Sequence, residues 1–117
     1  MSADASIDGF YTAFVTGSHG QAIVLFVFRG GLAVGADMGG CIYDGTYVKA
    51  EDSQSITLSL TVKQPGGITT VQGETLPSEG RQFDIQFSVP LDTVLPYFRV
   101  DTPHGSVNAR LQKIRGL

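Results

Sequence analysis

Hydrolytic or group-transfer chemistry needs a nucleophile within reach of a base, and a third group to orient that base. Two histidines and one cysteine are the chain's whole supply of neutral-pH bases and thiols. His19 sits in Gly17-Ser18-His19-Gly20 and His104 in Pro103-His104-Gly105, both runs of turn composition, so both rings are expected on exposed loops. Cys41 follows two glycines and opens an apolar run with no cation beside it. It is expected to be a small buried side chain rather than an activated thiol. These residues have no zinc-ligand spacing, and Asp37, Asp44, Glu51 and Asp52 do not form the ligand-dense loop that calcium requires. No glycine-rich turn leads into a helix with a following lysine, so a phosphate cradle is not expected either. The chain therefore reads as a non-enzyme, with no catalytic residue, metal site or cofactor.

Aromatic residues are better supplied. Tyr11, Phe14, Phe26, Phe28, Tyr43, Tyr47, Phe83 and Phe87 recur inside apolar runs. In a small barrel they would line or plug the interior, as plain core or as the wall of a cavity for a small apolar ligand. A short echo accompanies them: Asp8-Gly9-Phe10-Tyr11 and Asp44-Gly45-Thr46-Tyr47 share the pattern Asp-Gly-x-Tyr. A glycine there permits a bulge or close approach, and the tyrosine two positions on packs on one face of its strand.

The elements that must position these residues are strands. Ile56, Leu58, Leu60 and Val62 alternate with Thr57, Ser59, Thr61 and Lys63, and the same period returns in Phe83–Val89 and Ser106–Leu111. Further strands are predicted over Phe10–Val15, Gln21–Arg29, Leu32–Asp37, Ile42–Lys49, Ile68–Leu76 and Val94–Val100. Turn residues separate them, with Gly30-Gly31 and Gly66-Gly67 suited to tight hairpins. Pro90 and Pro96 bracket the one place for a short helix, Leu91–Leu95. Eight or nine short strands joined this tightly leave a sandwich or a closed antiparallel meander barrel, and the barrel is favoured because Gln21–Arg29 and Leu32–Asp37 are apolar or glycine at most positions. Val24, Phe26 and Phe28 fill the interior while Ile23, Leu25 and Val27 face outward, or the reverse. Either way one apolar stripe is left over, and it predicts a dimer through this strand; cover by the N-terminal segment or the Pro90–Pro96 stretch is the alternative.

Composition sets the outer bounds. At 117 residues the chain is one domain, read as a lead-in over residues 1–6 and a barrel over 7–117. Eleven acids against eight lysines and arginines give a net charge of −3, which argues against a nucleic-acid partner. The lone cysteine forbids an internal disulfide and suits a reducing cytoplasm. Neither a signal peptide nor an apolar run long enough for a membrane helix is read in the chain. Asp4, Asp8, Asp37, Asp44, Glu51 and Asp52 outweigh Arg29 and Lys49 in the first half, an imbalance that could attract a basic protein surface.

In order and spacing, Asp8-Gly9-Phe10-Tyr11, Gly35-Ala36-Asp37, Tyr43-Asp44-Gly45-Thr46-Tyr47 and Val71-Gln72-Gly73 resemble the GrlR family of type III secretion regulators. The resemblance implies a bacterial, lipocalin-like eight-stranded barrel, a homodimer, and a non-enzymatic negative regulator that sequesters a transcription activator by protein contact. The family's acidic Glu-Asp-Glu-Asp loop is matched here by Ala50-Glu51-Asp52-Ser53, so Glu51 and Asp52 become the expected partner-binding residues. The early Gly-x-Trp of true lipocalins is missing, since the chain has no tryptophan.

Overall fold

A strand with one apolar side is stable only where neighbours pair its backbone and a common core covers that side. The computed structural model, which describes residues 7–51, 55–90 and 97–117, meets both needs with a single sheet. Its strands are β1 Gly9–Gly17, β2 Gly20–Arg29, β3 Leu32–Asp37, β4 Ile42–Lys49, β5 Ser55–Gln64, β6 Arg81–Pro90, β7 Phe98–Thr102 and β8 Gly105–Arg115. The order across the sheet is β6-β5-β4-β3-β2-β1-β8-β7, every pair antiparallel. The meander curls until β6 and β7 lie side by side without a backbone ladder, which makes a nearly closed barrel. Across that seam Phe87 and Phe98 stack with ring centroids 6.1 Å apart. No helix is present among the described residues, and so none is long and apolar enough to cross a membrane.

Register decides which side of each strand is interior. Val24, Phe26 and Phe28 of β2 are buried, as are Ile56, Leu58, Leu60 and Val62 of β5. Their neighbours on the ladder continue the same layers: Phe26 stands between Tyr11 and Gly35, and Gly35 opposite Tyr43. Gly30 and Gly31, both with positive φ (57° and 89°), turn β2 into β3 as a tight hairpin. Gly45 serves by close approach, because a Cβ there would lie 1.8 Å from the Ser59 carbonyl oxygen on β5.

Two expectations are corrected. Ile68–Leu76 is not a strand, and Gly66-Gly67 does not join two barrel strands. Residues 65–80 form instead a strap across one end of the barrel, with Thr69 opposite Thr75 as its one isolated bridge. The β-branched run is broken because Gly73 takes φ 94° and its N–H donates to the Thr70 carbonyl, while the buried Thr70 Oγ1 accepts from the Glu74 N–H (3.2 Å). The strap is seated by the His19 N–H on the Val71 carbonyl (2.8 Å). The strand expected over Val94–Val100 is β7, Phe98–Thr102, and its expected first residues lie outside the described ones. So do the proposed lead-in, residues 1–6, and the proposed helix Leu91–Leu95.

Candidate functional site

Three regions hold the residues singled out by sequence: the closed end of the barrel, the cavity above it, and the outer face of β2 to β4. At the closed end the Asp-Gly-x-Tyr echo finds a structural meaning. Tyr11 and Tyr47 both stack against the fully buried Phe28, with centroids at 4.6 and 5.3 Å. The Tyr47 hydroxyl donates to Asp8 Oδ1 (2.6 Å), which also accepts the Gly30 N–H (3.0 Å), and the Tyr11 hydroxyl donates to the Ile7 carbonyl. Those bonds, first of all the one from Tyr47, hold the Asp8 carboxyl below its ordinary value. The two aspartates are not equivalent, for Asp44 stands exposed on the outer face of β4. Tyr11, Phe28 and Tyr47 are thus a floor rather than cavity wall.

Above that floor lies a cavity of about 110 Å³, into which Phe26, Tyr43, Phe83 and Phe87 project among aliphatic residues such as Leu58 and Leu60. Phe14 is not among its walls. It alternates with the inward Ala13, so its ring lies on the outside of β1 beneath the Arg110 guanidinium, 4.8 Å from the centroid. At the strap end the lining turns polar, with Gln64, Gln72 and Thr102. Beside them Tyr43 donates its hydroxyl to Asp37 Oδ2 (3.1 Å), and Cys41 N–H donates to Asp37 Oδ1 (3.0 Å). Burial, reinforced by the Asp37 charge, pushes the Cys41 thiol up to about 12, so it stays protonated near neutrality.

Arg81 was not anticipated, yet it is the most constrained charge at this end. Its Nε donates to Gln64 Oε1 (2.7 Å) and its Nη1 to Glu74 Oε1 of the strap (3.0 Å). Nη2 is buried with no hydrogen-bond partner among the described residues. The guanidinium lies 5.6 Å from the Phe83 centroid. Extending the alternation of Ile56–Val62 and Phe83–Val89 by one step would have placed Gln64 and Arg81 inward and opposite each other, as the ladder does.

The histidines both fall at this end. His19 is exposed in the β1–β2 turn, its Nδ1 2.8 Å from Ser18 Oγ, but no carboxylate bonds to the ring among the described residues. His104 is half-buried, its ring edge-on to Phe83 at 4.9 Å. No group of three or more metal-ligating side chains gathers among the described residues.

On the outside of the barrel, Ile23 (58% exposed) and Leu25 (50%) stand beside a half-buried Val27. Register extends this stripe sideways: Phe14 is opposite Ile23, Val27 opposite Val34, Leu25 opposite Ala36, and Ala36 opposite Ile42. Leu32, Val34 and Ile42 are themselves exposed. The result is one continuous apolar patch over β1 to β4, with Arg29 and Asp44 as the charges nearest it on β2 and β4. Glu51 is exposed in the turn after β4, at the opposite end of the barrel from the strap, and Asp52 lies outside the described residues. Comparison with family models, curated proteins and solved structures finds no match for this chain.

Proposed function

We propose that this chain acts by protein–protein contact rather than by bond-making chemistry, as a cytoplasmic homodimer joined through the outer face of β2, β3 and β4. The observation that carries the reading is the uncovered patch of Ile23, Leu25, Leu32, Val34 and Ile42. Contiguous exposed apolar area of this kind marks an interaction site in soluble chains. A second copy is the occupant chosen because an isologous contact needs only self-complementarity, which an apolar centre supplies, and a two-fold axis can set the Arg29 of one copy toward the Asp44 of the other. Glu51 and Asp52 would then serve a further partner, as the resemblance to GrlR-type regulators implies, with a transcription activator as the target class. Charge at such a rim would govern association rate and partner choice.

Sedimentation equilibrium tests the dimer. Wild type is expected to be dimeric at micromolar concentration, with a melting temperature that rises as the protein is concentrated. Val34→Lys is expected to be monomeric with an unchanged β-sheet spectrum and a concentration-independent melting temperature. A wild-type chain that stays monomeric over the same range would remove the basis of the reading. The alternative, a carrier of small apolar ligands, is favoured by the interior cavity. Its volume of about 110 Å³ is well under the roughly 300–1,000 Å³ of drug-sized sites, so a long-chain lipid is not its cargo.

A further inference from the structure

We propose that the seam between β6 and β7 admits a small, uncharged aromatic molecule of one ring to the barrel interior, which holds it among Phe26, Ile85, Phe87 and Phe98. The proposal deepens the reading of the interior as a carrier site, on which it rests, and is independent of what docks on the outer face.

The way in comes first. Every other pair of neighbouring strands in the barrel is joined by a backbone ladder, whereas β6 and β7 meet through side chains. Exposure changes along that line. On β5 the inward Leu58, Leu60 and Val62 are 2%, 3% and 2% exposed, but their ladder partners on β6, Phe87, Ile85 and Phe83, are only half-buried. Phe98 on the opposite lip is half-buried as well, and these four residues line the cavity. The inner apolar row is thus open to solvent at the seam. Phe87 and Phe98 stack across it with centroids 6.1 Å apart and planes inclined by 21°. Side-chain rotation parts these two rings without breaking a ladder hydrogen bond, and such rotation is fast wherever a side chain reaches the surface.

The class of occupant follows from the walls. The cavity, about 110 Å³, is somewhat smaller than the ~150 Å³ apolar cavity that takes benzene, so one ring is the limit, and rotation of Phe87 or Phe98 supplies the remaining room. No charged side chain lines it among the described residues. An ionised molecule would therefore leave its hydration for an interior with no counter-charge. Phe26, Tyr43, Phe83, Phe87 and Phe98 present ring faces and edges to the space. An aromatic guest can use these beyond the plain burial of its area, which a saturated one cannot. Flatness also suits the entrance, because a thicker ring would have to spread Phe87 and Phe98 further.

Titrations of 15N-labelled full-length protein with benzene, cyclohexane and benzoate, followed by amide shifts and line shapes, test class and route together. Benzene is expected to bind with shifts at Leu60, Ile85 and Phe98, about threefold or more tighter than cyclohexane, the worth of an aromatic pair. Benzoate is expected not to bind. Phe98→Leu, which removes one side of the stack, is expected to speed benzene exchange by about three- to tenfold. Gln72→Ala, which trims the strap at the barrel end, is expected to leave exchange unchanged. The proposal is overturned by no benzene bound at millimolar concentration, by benzoate or cyclohexane bound as tightly as benzene, by unchanged exchange in Phe98→Leu, or by faster exchange in Gln72→Ala, which would put the entrance at the strap. Absence of all binding would end the carrier reading too, whereas the other results would leave it standing. The wild-type series and Gln72→Ala decide the matter even where Phe98→Leu does not fold. A monomeric wild type, which would end the outer-face reading, leaves these results untouched.

Discussion

Asp8 shows how a residue read as part of a motif becomes a structural link. Its carboxylate joins the start of β1 to the β2–β3 turn and to Tyr47 on β4, through the Gly30 N–H and the Tyr47 hydroxyl. Its folded pKa is lowered from an ordinary 3.8, chiefly by the Tyr47 hydrogen bond. A carboxyl held low in the folded state stabilises the fold fully above its unfolded value, and that contribution is lost as pH falls through the lowered folded value. Asp8→Asn is therefore expected to lower the melting temperature at pH 7 and to lose less on acidification below 3.8. Melting curves of both proteins from neutral to strongly acidic pH would show the gap between them closing. Parallel curves down to the lowest pH would assign the bond no role. Cys41 is the opposite case, a residue with possible chemistry whose burial and acidic neighbour keep it as a protonated thiol.

Among the elements, β4 and β5 show why glycine is written into the middle of a strand. At Gly45 a Cβ would meet the Ser59 carbonyl oxygen at 1.8 Å and Leu60 Cα at 2.9 Å, so the ladder itself would have to move. Gly45→Ala is expected to cost about 1–3 kcal/mol, the range for overpacking, read as a drop in the urea midpoint. Gly39→Ala is the control: its nearest atom is the end of the Asp37 side chain at 3.4 Å, and the change should stay within about 0.5 kcal/mol. Equal midpoints for the two variants would refute the close-approach argument. The strap over residues 65–80 is the element that alternation misread. Ile68, Thr69, Thr70 and Val71 have strand composition, but Gly73 and the Thr70 side chain close a turn inside the run. Local propensity yields there to backbone bonds that the turn makes with itself.

At the scale of the whole molecule three features are spatially separate. The Glu51 turn lies at the floor end of the barrel, Arg81 at the strap end, and the apolar patch on the outer wall between them. Effects of substitutions in regions that share no partners should add. Replacing the exposed Glu51 by alanine is accordingly expected to leave the melting temperature and the oligomeric state unchanged, since exposed charges contribute little to stability. Calorimetry and sedimentation check this in turn. A large fall in melting temperature would show that the turn is part of the core and not a free contact.

How much of this was legible in the sequence varies with the range of the interaction that decides it. Period-two alternation in Ile56–Val62 and Phe83–Val89, together with Gly30-Gly31, was enough for an all-β meander, because side-chain alternation and hairpin turns are set by residues adjacent along the chain. It also showed that β2 must leave one apolar stripe uncovered by its own sheet. Which stripe, whether Phe14 points in or out, and where Ile23 and Leu25 meet Val34 and Ile42 were fixed only by curvature and register between strands. Arg81 is the clearest instance. Its inward parity is visible in the alternation of β6, but Gln64 lies 17 residues away and Glu74 belongs to the strap, so the clamped guanidinium exists only once the tertiary fold brings the three together.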